Sequence, residues 1–331
     1  MRIRVLGAGF YGCHIAIALR ADGHDVEVHE IADRIFAGAS GNIPARLHVG
    51  CHYPRSRMTR AACLEHQREF MAAYWFLTRA VPINIYAIAA ERSLVDFAQY
   101  VATLKGEIEY LTLPDPAEFG LRNVEGAIQV SERHILTDAA AVWFKAGLGR
   151  SLKLGKAPGL VDSPSYDWTI DATFCANDAA GVDRYEPCLV VLLEGPTGKA
   201  VTVMDGPFPS LYPWNEDAGL CSLSSALWTP FSKSCKTWGE ARHIIDHLST
   251  ADVNAQACEM VASMAEFYPA VLGFKVVGHR LSIRAMPLSG ADTRLVDVAR
   301  VGERVLRVRA GKIDAIIHAE RVIKDMICPS L

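Results

Sequence analysis

Gly7, Gly9 and Gly12 in the stretch GAGFYG have the spacing of a phosphate cradle. In such a loop the first glycine permits a tight turn and the second lets backbone approach a pyrophosphate. The third lets the following helix pack closely on its strand. Phe10 and Tyr11 occupy the two variable places of the same loop. The free N–H groups and positive end of a helix that opens there favour a diphosphate. Glu30 ends the next apolar strand at about the distance where an acid takes ribose hydroxyls, and its charge argues against a 2′-phosphate. The pattern predicts a dinucleotide and does not separate NAD from FAD.

The elements around these residues read as a strand–turn–helix–strand unit. Residues 2–6 are an apolar run with β-branched side chains, 13–19 have helical apolar density stopped by Gly23, and in 25–30 Val26 and Val28 alternate with Glu27 and His29. A helix capped by Ser56 or Thr59 is expected through RAACLEHQREFMAAYWFLTRA, broken by Pro82. Strands are expected at INIYAIAA and EIEYLTL, with a helix at SLVDFAQYVATL between them and another at 137–148. A strand ending near Asp171 opens a Gly- and Pro-punctuated region that reads as antiparallel sheet. Helices at 237–248 and 252–268, the strand KVVGHRLSIRAMP, a hairpin and a last helix from Lys312 complete the chain. A parallel-type unit at each end with an antiparallel middle predicts interleaved domains in an α/β fold.

Composition narrows the function classes. The 331 residues carry a formal charge of −3 with no Lys/Arg block, which argues against nucleic acid as a partner. The start resembles a signal peptide only superficially, because its glycines belong to the strand–turn–helix. No stretch approaches the ~20 apolar residues that span a bilayer. Nine cysteines without C-x-x-C pairs predict reduced thiols in a cytoplasmic setting. His48, Cys51 and His52 in HVGCHYPRS suggest metal, but Gly50 and Pro54 oppose a helical His pair and no further ligand cluster is evident.

GASGN…ARLHVGCHYPRS after the opening unit, together with GKIDAII at the last helix, resembles FAD-dependent oxidoreductases of the D-amino-acid oxidase/glycine oxidase/sarcosine oxidase type. The likeness is strongest over roughly the first 60 and last 45 residues. It implies FAD, held non-covalently, because this family returns its C-terminal helix to the flavin. It implies that 1–80, 130–183 and 286–331 form a Rossmann-type FAD-binding domain, and 81–129 with 184–285 a mostly antiparallel substrate domain. Carried over by position, Gly7, Gly9, Phe10, Tyr11, Gly12 and Glu30 serve the diphosphate and ribose. Ala39 and Ser40 match the small-hydroxyl pair on the diphosphate, and Arg46, Leu47 and His48 the segment along the isoalloxazine. Val161 matches the adenine-side strand, and Ala172 and Thr173 a small turn in which Phe174 stands where glycine is common. Gly311, Lys312, Ile313 and Asp314 match the helix start at the pyrimidine end. The 148–171 segment is short for the family, which implies more open FAD binding.

The same resemblance implies a small amine or amino-acid substrate, oxidised at its C–N bond by hydride transfer to the flavin. Arg284 in SIRAMP is the candidate fork for a substrate carboxylate, Tyr212 in SLYPW a hydroxyl over the pocket, and Arg294 a further match. His48 is expected near the ring, and His48, Cys51 or His52 are the positions for a covalent flavin link. The alternatives are an FAD-dependent monooxygenase, against which Gly-Lys-Ile-Asp replaces the expected Gly-Asp motif, and a non-catalytic FAD- or nucleotide-binding protein.

Overall fold

The computed structural model describes residues 1–156, 163–288 and 295–328. Val161 and Arg294 lie outside the described residues. One six-stranded sheet runs in the order Asp297–Gly302, Val305–Arg309, Trp168–Asp171, Arg2–Leu6, Asp25–His29, Leu152–Lys153. All its pairings are parallel except that between the first two strands. Ile3, Val5 and Leu6 are fully buried, as expected of a central parallel strand covered by helices on both faces. The helices Phe10–Ala21 and Ile316–Ile327 pack against each other in that cover and share one apolar core with the sheet.

The second large sheet has eight strands, in the order Lys275–Pro287, Val182–Glu194, Leu220–Ser225, Pro209–Asn215, Lys199–Met204, Ile83–Ala89, Val124–Gln129, Leu111–Thr112. It is antiparallel apart from the pairing of Lys199–Met204 with Ile83–Ala89. Helix Thr250–Ala265 covers one face through Val253, Ala257, Met260 and Met264, a single apolar stripe. Ser249 and Asp252 close its start as a capping box. A small sheet of Arg46–Leu47, Arg133–Ile135 and Thr78–Ala80 joins the two halves.

Three expected elements differ. The helix capped by Ser56 ends at Tyr74, tightens into a 3₁₀ turn at Trp75–Leu77 and becomes the strand Thr78–Ala80 well before Pro82. The strand at 107–113 shrinks to Leu111–Thr112, an exposed edge, because the Glu107 and Ile108 N–H groups turn back to the Leu104 carbonyl at the end of the preceding helix. The helix in 93–104 begins only at Phe97, because the Asp96 carboxylate caps it on the Gln99 N–H.

Candidate active site

The glycine loop is tight because only hydrogen atoms fit. A Cβ on Gly12 would lie 1.9 Å from the Gly7 carbonyl oxygen, one on Gly7 2.8 Å from that of Ala172, and one on Gly9 2.9 Å from Ser40 Oγ. Gly7 also has φ +92°, a left-handed conformation. Helix Phe10–Ala21 has no capping side chain of its own. The Ser40 hydroxyl, from the next loop, accepts the Phe10 N–H at 3.0 Å. Glu30 accepts from Ala8 N at 2.7 Å and Ala32 N at 2.9 Å, which fixes its carboxylate beside the loop. The Ala172–Thr173 turn is held by Asp171, which accepts from Thr173 N and Oγ1. Phe174 takes φ +60° there, so the residue standing in for glycine still adopts glycine's conformation. A cradle that any Cβ would fill, a helix start with no side chain at its own N-cap and an oriented carboxylate together fit a dinucleotide.

Past this loop opens a cavity of about 500 Å³ between the two large sheets. Ala39, Phe174 and Gly311–Ile313 line it from the nucleotide side, and Ser210, Glu186 and Arg284 from the other. Arg46 stands on its floor. Its guanidinium donates to Thr202 Oγ1 at 2.8 Å and to Ser210 Oγ at 2.5 Å, and lies 4.1 Å over the Tyr212 ring. Among the described residues no carboxylate pairs with it. Leu47 is fully buried beneath the strand.

His48, next on the wall, turns Nδ1 inward toward the Tyr86 hydroxyl at 3.3 Å and Glu132 at 3.6 Å. Glu132 is 1% exposed and accepts from Val49 N, Asn84 Nδ2 and Tyr86 Oη at 2.8–3.0 Å. Burial raises the Glu132 pKa, but His48 and these donors outweigh it and hold the carboxyl at about 2. Burial and the neighbouring Lys312 push His48 down to about 4, so the ring is neutral at neutral pH. His52 and Tyr53 stack near it and share the cavity wall, whereas Cys51 is fully buried in the apolar cluster around Tyr86 and Tyr100.

Lys312 places Nζ 3.4 Å from Cys63 Sγ and 4.8 Å from the Tyr53 ring centre. Burial opposes its charge, but Cys63, Tyr53, Asp314 and Glu132 together raise its pKa. The Tyr11 hydroxyl donates to the Lys312 carbonyl, tying the glycine-loop helix to this turn. Asp314 is fully buried behind it, and neither carboxyl oxygen reaches a donor in good geometry. Burial pushes it up to about 6 against the pull of Lys312. A 3₁₀ turn, Ile313–Ala315, precedes the last α-helix, which begins at Ile316 and not at Lys312.

Two expected positions need correcting. Tyr212 does not stand over the pocket: it is fully buried, its hydroxyl donates to the Arg133 carbonyl at 3.2 Å, and its ring is the pedestal under Arg46. Arg284 does line the cavity, but it is not a free fork. The register of the two long strands sets it opposite Glu186, and its Nε reaches that carboxylate at 3.0 Å. Arg184 Nε holds the other oxygen of Glu186 at 2.8 Å. Sequence reasoning missed Glu132, Glu186, Thr202 and Ser210. The one available signal was an acid, Glu132, set in the otherwise strand-like run AIQVSERHIL. Among the described residues no group of three His, Cys, Asp or Glu side chains could hold a metal, and no helix is long and apolar enough to cross a membrane.

The fold and its cradle define a dinucleotide-binding protein, and comparison with known proteins bears on which dinucleotide. No family model matches the chain. It is 35% identical to the FAD-dependent monooxygenase FPY4 of Fusarium mangiferae, over 98% of this chain and 90% of that protein. It is 29% identical to the FAD-dependent monooxygenase kojA of Aspergillus flavus, over 99% of this chain and 86% of that one. Glycine oxidase from Geobacillus kaustophilus superposes with a TM-score of 0.73 at 15% identity, covering 98% and 94% of the two chains. The chain belongs to the family of FAD-dependent oxidoreductases that includes FPY4, its cofactor is FAD, and its fold is the one glycine oxidase has.

Proposed function

We propose that this enzyme oxidises a small amine or amino acid at its C–N bond, with Arg46 as the anchor for the substrate carboxylate. The observation that carries this reading is the environment of Arg46: a cation on the cavity floor that, among the described residues, is held by two hydroxyls and an aromatic face and by no carboxylate. Arg46 is half-buried, and a partly desolvated charge without a counter-ion gains from an incoming carboxylate. Lys312 adds a second cation at the same wall. FAD, when bound, supplies the hydride acceptor. Gly7, Gly9, Gly12 and Glu30 are the residues that fit its diphosphate and ribose, with Ala39, Ser40, Ala172 and Thr173 beside them. Gly311, Lys312 and Ile313 bound the cavity where the ring would lie. Arg284, tied to Glu186, shapes the far wall, and His48 presents a neutral imidazole. We assign 1–80, 130–183 and 286–331 to the FAD-binding domain, which also lends Arg46, His48 and Lys312 to the cavity, and 81–129 with 184–285 to the substrate domain, with FAD held non-covalently.

The glycine oxidase likeness supports an amino-acid substrate, because that protein shares this fold. The names of the two sequence relatives support a second reading, FAD-dependent monooxygenation. One experiment separates them. Purified enzyme is given a panel of amino acids and amines, with and without NADPH, and ammonia, reduced nicotinamide and oxygenated product are followed. Ammonia release without NADPH supports C–N oxidation. Oxygenated product that requires NADPH overturns it in favour of the monooxygenase.

A further inference from the structure

A neutral amine gives up hydride without a protein base, yet the cavity wall carries the parts of one. The His48 Nδ1 edge is fixed by Tyr86 and Glu132. Glu132 is itself locked by Val49 N, Asn84 and Tyr86. Among the described residues no hydrogen-bond partner meets the opposite edge, Nε2, and His48 lines the cavity. A buried carboxylate behind an imidazole fixes its tautomer and stabilises the imidazolium it becomes on taking a proton. Arg46 and His48 lie on the same short segment, so a carboxylate on one brings the neighbouring carbon substituent toward the other. A hydroxyl at that carbon, unlike an amine, must lose its proton as the carbonyl forms.

We propose that the Glu132–His48 pair is the proton acceptor for a substrate hydroxyl, so that this site also oxidises 2-hydroxy acids to 2-keto acids. The inference rests on the reading of Arg46 as carboxylate anchor. The O–H bond breaks and its proton goes to His48 Nε2. The C–H bond breaks and its hydride, with two electrons, goes to oxidised FAD. The carbon–oxygen double bond forms from the electron pair left on oxygen. His48 is the catalytic residue and Glu132 a positioning residue.

The groups facing His48 set its basicity: Glu132 from the loop before Arg133–Ile135, Tyr86 from Ile83–Ala89, Arg46 on its own strand, His52 and Tyr53 on the following loop, and Lys312 from the C-terminal turn. Burial and then Lys312 and Arg46 oppose its protonation, while Glu132 favours it. A bound carboxylate screens both cations and therefore restores the ring's affinity for a proton as the substrate arrives.

The test uses holoenzyme with glycolate, lactate and glycerate beside glycine, alanine and serine. Flavin bleaching is followed without oxygen as a function of pH. A second readout is binding of 2-hydroxyisobutyrate, which has no Cα–H to lose, measured by calorimetry in buffers of different ionisation heat. The expected result is bleaching by hydroxy acids that rises with pH through one ionisation, and net proton uptake when 2-hydroxyisobutyrate binds near pH 6. His48→Asn should slow bleaching by hydroxy acids on the order of 10²–10⁴-fold. Glu132→Gln should move the pH limb and abolish the proton uptake, and Glu132→Asp should restore part of both. The flavin spectrum of each variant reports that it is folded. Bleaching by the amino acids but by none of the hydroxy acids overturns this inference and leaves the amine reading standing. Bleaching by neither class overturns both. A His48→Asn enzyme that bleaches with hydroxy acids at the wild-type rate overturns the role of the dyad.

Discussion

The nucleotide cradle and the substrate cavity are built in opposite ways. The cradle is local: Gly7, Gly9, Gly12 and Glu30 sit in one βαβ unit, and its chemistry is backbone N–H, absent side chains and one carboxylate. The cavity is assembled at long range. Arg46 meets Thr202 and Ser210 across 156 and 164 residues, His48 meets Glu132 from the loop before Arg133–Ile135, and Arg284 meets Glu186 across 98. The first kind of site tolerates no added atom, whereas the second tolerates change but depends on partners being kept. That difference ranks the expected effects of substitution.

Gly12→Val gives the largest effect. Its Cβ would fall 1.9 Å from a backbone oxygen that cannot move without opening the strand–helix contact. The expected loss is about 4 kcal/mol or more of stability, with protein purified colourless. Thermal unfolding and the flavin absorbance ratio read both. Arg46→Gln tests the second kind of site. It should raise the KM for carboxylate substrates by two to three orders of magnitude, the equivalent of about 3–4 kcal/mol, with the flavin spectrum retained.

Asp314→Asn distinguishes charge from shape at the turn between the two regions. Asp314 binds its proton more tightly folded, at about 6, than its ordinary value of 3.8. Its ionisation therefore subtracts stability as pH rises through that window, and below it the penalty is absent. The variant should melt higher than wild type at pH 7 and lose that advantage by pH 4. Glu132 has the reverse sign. Its folded value of about 2 lies below 4.5, so its contribution is full above 4.5 and disappears as pH falls toward 2. Tyr212→Phe gives the smallest effect. It removes one hydroxyl bond to the Arg133 carbonyl and keeps the ring under Arg46, so about 1 kcal/mol of stability and little change in KM are expected.

The same contrast explains what was legible in the sequence. The glycine spacing, the alternation in 25–30 and the long strand Lys275–Pro287 were readable because turn geometry and period-two burial are written in neighbouring residues. The pairing of Arg284 with Glu186 was not, because it depends on the register of two strands far apart in the chain. Tyr212 was misread for a related reason. A tyrosine in a strand is on one face or the other according to pairing, and here pairing buried it. Glu132 gave almost no local signal, since an acid in a strand-like run reads as a solvent-facing residue until the loops around it are known.

An enzyme that holds its substrate by the carboxylate on Arg46 must discriminate against substrates that lack one. The most direct measurement is the rate of anaerobic flavin bleaching by amino acids paired with the amines that differ only by lacking the carboxylate. Bleaching by the amino acids is expected, with an apparent affinity at least about 100-fold weaker for the matching amines, a gap that closes in Arg46→Gln. Equal bleaching by both members of each pair in the wild-type enzyme would contradict that role of Arg46.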